Sequence, residues 1–284
     1  MLSDRIFKNF AIGSLTIWLS IFALLPILLV FIGSFLTQGE VQFFAWHFTL
    51  SNYTELFKSH YFLIFWRSFY LAGITVLLCL ILGYPFAYII AKLPDRIKPL
   101  LIFLIILPFW TSSLIRIYAI ITIIGTEGYI NHLLLWLGII QQPLQIMFTK
   151  TAVLLGLVYS LLPFMVLPLY ANLDKFDWRL IDAARDLGAN KWHIFIRVII
   201  PITIPGIIAG IMLVLLPAMT MFYIPDILGG AKSLLLGNLI KNQFVEARNW
   251  PLGSVVSVML TALMGLLLII YWKLTTAKER CELL

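Results

Sequence analysis

Apolar runs of bilayer-spanning length recur along this chain, and no other feature restricts its fold so tightly. From Leu15 to Leu36 the run "LTIWLSIFALLPILLVFIGSFL" contains no charged residue. A transmembrane helix needs about 20 such residues, since its backbone groups must bond to one another inside lipid. Six stretches qualify, at about 11–36, 65–92, 100–123, 151–171, 202–222 and 254–273. The expectation is an all-α polytopic membrane protein with six transmembrane helices, forming a single membrane domain over residues 1–284. A β-barrel would show short alternating segments instead. Composition agrees, with 62% hydrophobic and 12% charged residues, where a soluble domain carries about 25% charge.

The net charge of +7 reads as a topology signal rather than as a nucleic-acid surface. Thirteen of the 20 Lys and Arg residues fall on one side of the six spans: Arg5 and Lys8, the group around Lys92, Arg96 and Lys98, five between Lys175 and Arg197, and three near the C-terminus. The positive-inside rule places that side, and both termini, in the cytoplasm. The first run is too long for a signal-peptide core and shows no small-residue cleavage site, so it is expected to remain as a span. Cys79 lies in an apolar run and Cys281 in the tail, a spacing that suggests neither metal nor disulfide chemistry.

Eight prolines (Pro26, Pro85, Pro108, Pro163, Pro168, Pro201, Pro205 and Pro217) lie in the spans or at their edges. Interior prolines bend helices, which suits a molecule that opens a path, although proline is also common in membrane helices generally. "GIIAG", Gly206 to Gly210, predicts close approach of a second helix. "HLLLWLGII", in the long loop from Gly125 to Lys150, is too short to span and is expected at the interface or against the bundle.

One charged stretch interrupts the oil. "LIDAARDLGANKWHIFIRVIIP" runs from Leu180 to Pro201. Asp177 is expected to cap a short helix over Trp178 to about Leu187, Gly188 to take a left-handed C-terminal conformation, and Asn190 to cap a second helix leading into the fifth span. Ala183, Ala184 and Leu187 share a face, flanked by Asp182, Arg185 and Asp186. From the residues alone two readings stand: a smooth knob that enters a groove on another protein, or an amphipathic helix lying on lipid.

The stretch resembles the EAA loop of permease subunits in bacterial ABC importers, whose pattern is Glu-Ala-Ala, three residues, Gly, nine residues, then Ile-x-Leu-Pro. Here it becomes Asp182-Ala183-Ala184, then Gly188, then Val198-Ile199-Ile200-Pro201, with Asp for Glu, Val for Ile and Ile for Leu. The blocks "LGYPFAYIIAKLP", "LPFWTSSLIRIY", "GLVYSLLPFMVLPLY" and "LLPAMTMFYIPDILGGAK", spanning Leu82 to Lys232, are similar to the permeases of spermidine/putrescine importers. The resemblance implies a type I, MetI-like permease fold in the bacterial inner membrane. It implies that residues 172–201 form a coupling loop, with Asp182, Ala183, Ala184, Asp186, Leu187 and Gly188 meeting the ATPase. It also implies a second, homologous permease subunit, two copies of an ATP-binding subunit that hold ATP and Mg, and a periplasmic polyamine-binding protein. No cofactor, metal or nucleic acid is expected on this chain.

A polyamine path calls for carboxylates and aromatic faces. Phe222, Tyr223 and Asp226 in "MFYIPDILGG" stand where the fifth span meets the outside, and Trp110 in "LPFWTSS" is a further candidate. Against them stands an ordinary interfacial aromatic belt with a solvated aspartate. Glu127 reads as a solvated loop acid, Arg67 as a cation reaching headgroups, and Arg116 as an intramembrane charge that would repel a cationic cargo if it faced the path. His193 is expected in the second loop helix, and His47, His60 and His132 have no ligand spacing. An ion-driven carrier would need more helices or buried acids in the spans, and an enzyme would need a nucleophile or metal grouping; the chain has neither, and no P-loop. An importer permease for another small solute remains the alternative.

Overall fold

The computed structural model describes residues 2–39, 44–230 and 234–282. Six described segments are long and apolar enough to cross a membrane: Phe10–Gly33, His60–Lys92, Ser113–Trp136, Lys150–Leu173, Lys191–Thr220 and Trp250–Lys273. Their number matches the hydropathy reading. The chain divides into two compact units, Met1–Leu63 with Leu239–Gly265, and Ile64–Asn238 with Leu266–Leu284.

In the first unit, helix α1 (Leu2–Leu19) passes through a π-turn at Ser20–Leu24 into α2 (Leu25–Gly33), whose first turn holds Pro26, a residue with no N–H to return to the preceding helical turn. A short antiparallel pair follows, β1 (Leu36–Thr37) with β2 (Ala45–Phe48), in the register Leu36 to Phe48 and Thr37 to Ala45. The next helix, α3 (Ser51–Leu56), is tied to this hairpin. Tyr53 and Ser34 share a hydroxyl bond of 2.8 Å, and the Asn52 amide donates to the Leu36 carbonyl at 2.8 Å.

The second unit is organised by α8 (Lys150–Leu173) and α11 (Ile200–Thr220), which form its most extensive helix pair. On α8, Val153, Leu157, Leu161, Met165, Leu169 and Leu173 recur every four residues and are fully buried. The facing row on α11 is small, with Thr203, Gly206, Gly210, Val214 and Ala218 buried. A Cβ at Gly210 would lie 2.6 Å from Met165 Sδ, and one at Gly206 would lie 3.0 Å from the Pro168 carbonyl. The GIIAG pair therefore admits α8, as close small-residue packing predicts. A buried hydroxyl pair, Tyr84 with Thr203 at 2.9 Å, attaches α4 (Ser59–Lys92) to α11.

The third span departs from expectation. One helix over 100–123 was predicted, but α5 (Lys98–Ile106) tightens into a 3₁₀ turn at Leu107–Trp110, and α6 (Ser113–Ile124) starts afresh. Pro108 offers no N–H, and Thr111 and Ser112 are extended, at ψ 149° and 136°. The Thr111 hydroxyl closes the turn onto the Pro108 carbonyl at 2.7 Å. The crossing-length segment thus begins at Ser113 and continues through a turn into α7 (Tyr129–Trp136), which contains the first part of "HLLLWLGII".

The loop after α7 is held by one amide. Asn131, 1% exposed, donates to the carbonyls of Gly125, Thr126 and Leu144 and accepts from the Leu144 N–H at 2.8 Å. Asn131→Leu would leave these groups without partners, each buried one costing about 1–3 kcal/mol. The variant should melt at least about 5 °C lower in detergent, given about 2–4 °C per kcal/mol for a chain of this size. An unchanged melting temperature would show that water satisfies the loop.

Candidate functional site

Between α8 and α11 the charged stretch folds as two short helices, α9 (Arg179–Asp186) and α10 (Lys191–Ile194), followed by a π-turn at Phe195–Ile199. The start differs from expectation by one residue. Trp178 occupies the cap position, and the Asp177 carboxylate instead accepts from the Arg179 N–H at 3.0 Å. The other two signals behave as the sequence predicts. Gly188 has φ +80°, its N–H donates to the Arg185 carbonyl at 2.8 Å, and the Ala189 N–H donates to the Ala184 carbonyl at 3.0 Å. That bond pair closes a helix through a left-handed residue. The Asn190 side chain accepts from the His193 N–H at 2.8 Å and also meets the His193 Nδ1.

The loop is anchored from within. Phe176, Ile181, Ile194 and Ile199 are buried. Trp178 packs edge-on against Phe176 at 5.1 Å and Tyr88 at 5.7 Å, and the Lys92 ammonium sits 4.4 Å above the Tyr88 ring. At the base, Lys98 bridges Asp95 at 2.9 Å and Asp174 at 3.0 Å, joining the start of α5 to the end of α8. The Lys98 ammonium holds the Asp174 carboxyl below the usual carboxylate range, and the two carboxylates raise Lys98. With the folded value depressed, the tie contributes above the ordinary carboxylate pKa and is lost as pH falls through the lowered one.

What remains outside is the tip. Leu187 is 88% exposed and Trp192 67% exposed, with Ala183 and Asp186 also exposed and Asp182 paired to Arg185 at 3.1 Å. Ala184 is half-buried, so the exposed apolar surface comes chiefly from Leu187 and Trp192 rather than from the alanine pair. Burying a leucine and an indole recovers about 1.5–3 kcal/mol each, which is what a groove on another protein would supply. Trp192 was not singled out from the sequence, although a lone tryptophan just inside a capped helix in a charged loop was the available signal.

The residues proposed for the path fall into two places. After α11 ends at Thr220, the chain turns through Met221 into a π-turn at Pro225–Gly229. There the Asn238 amide donates to both the Asp226 carboxylate and the Phe222 carbonyl, the latter at 2.8 Å, and accepts from the Leu235 N–H at 3.2 Å. Asp226 is thus half-buried in a polar knot rather than loose in a solvated loop. Phe222 is exposed, with Tyr223 edge-on to it at 6.1 Å. Trp110 stands apart, 74% exposed and edge-on to Phe103 at 5.5 Å. The Arg116 guanidinium lies 5.0 Å from the Phe109 ring centre. Ala231 and Lys232, which end the last of the resembling blocks, lie outside the described residues. Among the described residues no His, Cys, Asp and Glu grouping could hold a metal.

Six apolar crossings, with a capped loop between the fourth and fifth whose apolar tip is exposed, define a polytopic membrane protein. Residues 82–276 match the family of binding-protein-dependent transport system inner membrane components, and the chain belongs to that family. It is therefore a multi-pass inner-membrane permease. It is 54% identical over 267 residues to the spermidine/putrescine transport system permease protein PotB of Salmonella typhimurium strain LT2, covering 94% of this chain and 93% of that one. Against PotB of Escherichia coli K12 it is 55% identical over 256 residues, covering 90% and 93%. Its fold superposes on a bacterial ABC transporter chain involved in import of the acidic polysaccharide alginate, with TM-score 0.76 at 14% identity over 97% of this chain and 98% of that one.

Proposed function

We propose that this chain is the polyamine-conducting permease subunit of an ATP-driven importer, passing spermidine and putrescine inward. The observation that carries the cargo is its identity of more than half, along nine-tenths of its length, with permeases named for those two amines. The whole chain acts as one permease domain. Residues 172–201 are its coupling loop, in which Asp182, Ala183, Ala184, Asp186, Leu187 and Gly188 face an ATP-binding subunit, and both termini lie in the cytoplasm. A second, homologous permease completes the path, two ATPase copies bind ATP and Mg, and a periplasmic polyamine-binding protein delivers cargo. Trp110, Phe222, Tyr223 and Asp226 contact the cation as it passes. Support for the loop assignment is its exposed Leu187 and Trp192 on a doubly capped, internally anchored frame.

Affinity purification of the full chain in mild detergent, followed by mass spectrometry, should recover a second permease and an ATPase. Reconstituted with these and the binding protein, it should take up labelled spermidine on addition of ATP. Absence of polyamine uptake by an assembled, ATP-hydrolysing complex would remove the cargo. Orientation has its own check, in a chain whose Cys79 and Cys281 are replaced. A cysteine at position 190 should resist an impermeant thiol reagent in intact cells, and one at position 141, exposed in the loop after α7, should react. The reverse pattern would invert the topology.

A further inference from the structure

Two adjoining cavities open beside the coupling loop, in a part of it that the exposed tip does not use. One, of about 360 Å³, is lined by Tyr88, Lys92, Ile181, Arg185, Lys191, Ile194, Phe195 and Ile199. The other, of about 410 Å³, shares Lys92, Ile181 and Arg185 and adds Lys98 and Asp182. Their charged groups are unevenly matched. Asp182 answers Arg185 at 3.1 Å, and Lys98 is taken by Asp95 and Asp174, whereas neither Lys92 nor Lys191 is paired with a carboxylate among the described residues.

Lys92 is held in place without being neutralised. Its ammonium rests over the rings of Tyr88, at 4.4 Å, and Trp178, at 5.3 Å, a contact that fixes position while keeping the charge and its N–H donors available. Arg185 spends one donor nitrogen on Asp182, and a guanidinium has five N–H groups. The smaller cavity therefore presents Lys92, Lys191 and Arg185 above a floor of Ile181, Ile194, Phe195 and Ile199, three of them buried. Lys92 and Lys191 are also the terminal residues of two membrane-crossing segments, His60–Lys92 and Lys191–Thr220. Lysines at the ends of such segments reach the headgroup region, and the isoleucine floor is an apolar face that an acyl chain would cover.

We infer that this cavity binds a phosphate group, and that its source is the headgroup of an anionic phospholipid, with Lys92, Lys191 and Arg185 on the phosphate and one acyl chain along the isoleucine floor. Basic pockets between helices at a membrane face bind anionic headgroups by this chemistry. A soluble anion would satisfy the rim but leave the apolar floor wet. A partner's carboxylate would meet the outward tip, Leu187 and Trp192, before the recess beside it. The site does not depend on what the importer carries. A lipid seated there would join the end of the second span to both loop helices, and so bias the loop's position relative to the bundle.

The test uses the full chain, purified with whatever subunits accompany it and placed in nanodiscs of phosphatidylcholine with phosphatidylglycerol, with retained lipid counted by native mass spectrometry. The wild type should retain phosphatidylglycerol in preference to phosphatidylcholine. Lys92→Gln combined with Lys191→Gln should retain at least tenfold less, each single change falling between. Lys92→Arg with Lys191→Arg should behave as wild type, which separates charge from packing. Equal retention by the double Gln variant would overturn the site, as would equal loss in the double Arg variant. Retention that vanishes whenever the ATPase subunit is bound would show a protein contact instead and overturn the proposal. Displacement by excess inorganic phosphate would overturn the lipid source; resistance to it supports that source.

Discussion

Gly188→Val is expected to abolish ATP-dependent uptake while the chain reaches the membrane in normal amount. Gly188 sits at φ +80°, and a Cβ built there meets no atom within 4 Å. The penalty is therefore conformational alone. A left-handed backbone costs an ordinary L-residue about 1–2 kcal/mol, and a β-branched one is a genuine outlier there. Relief requires Gly188 to leave this conformation, which breaks the two closing bonds to Arg185 and Ala184 and swings α10 relative to α9. The α8–α11 pair carries the packing of the second unit and does not depend on that turn, so insertion and melting should change little. Gly188→Asn, which tolerates the left-handed region, should retain most of the uptake. Normal uptake by the valine variant in reconstituted vesicles would remove the loop's coupling role.

What could be read beforehand followed from local chemistry. The spans were legible because hydropathy over about 20 residues is a property of the run itself. The loop's caps were legible because Gly188 and Asn190 act within three or four residues of themselves. At the third span Pro108 was legible as a kink, but the full break and restart at Ser113 were not, because the flanking apolar run looks continuous. Contacts distant in sequence were beyond this reading. Lys98 finds Asp174 across 76 residues, and Asp226 finds Asn238, 12 residues on. Trp192 was overlooked for a different reason: burial is a tertiary property, and tryptophan in a membrane protein is first read as packed or interfacial.

Asp226 gives the other large effect, and the structure changes how it must be tested. Its carboxylate accepts from the Asn238 amide, which also holds the Phe222 carbonyl, so removing the side chain disturbs a turn as well as a charge. Asp226→Asn keeps an oxygen for Asn238 and nearly the same volume, so this bond should survive without its charge-assisted part. If the carboxylate also touches the passing cation, losing a partly exposed contact of about 1 kcal/mol lowers occupancy at that step about fivefold. Uptake should fall by that factor, more for spermidine than for the less charged putrescine, with assembly and ATP binding intact. Asp226→Lys should abolish uptake, since it repels the cargo. Asn238→Leu separates the two roles: it releases the Phe222 carbonyl and lowers the melting temperature, yet leaves the carboxylate in place. A purely structural Asp226 would show the same loss for both polyamines and a melting shift that tracks the loss across all three variants. Wild-type uptake by both Asp226→Asn and Asp226→Lys would exclude Asp226 from the path.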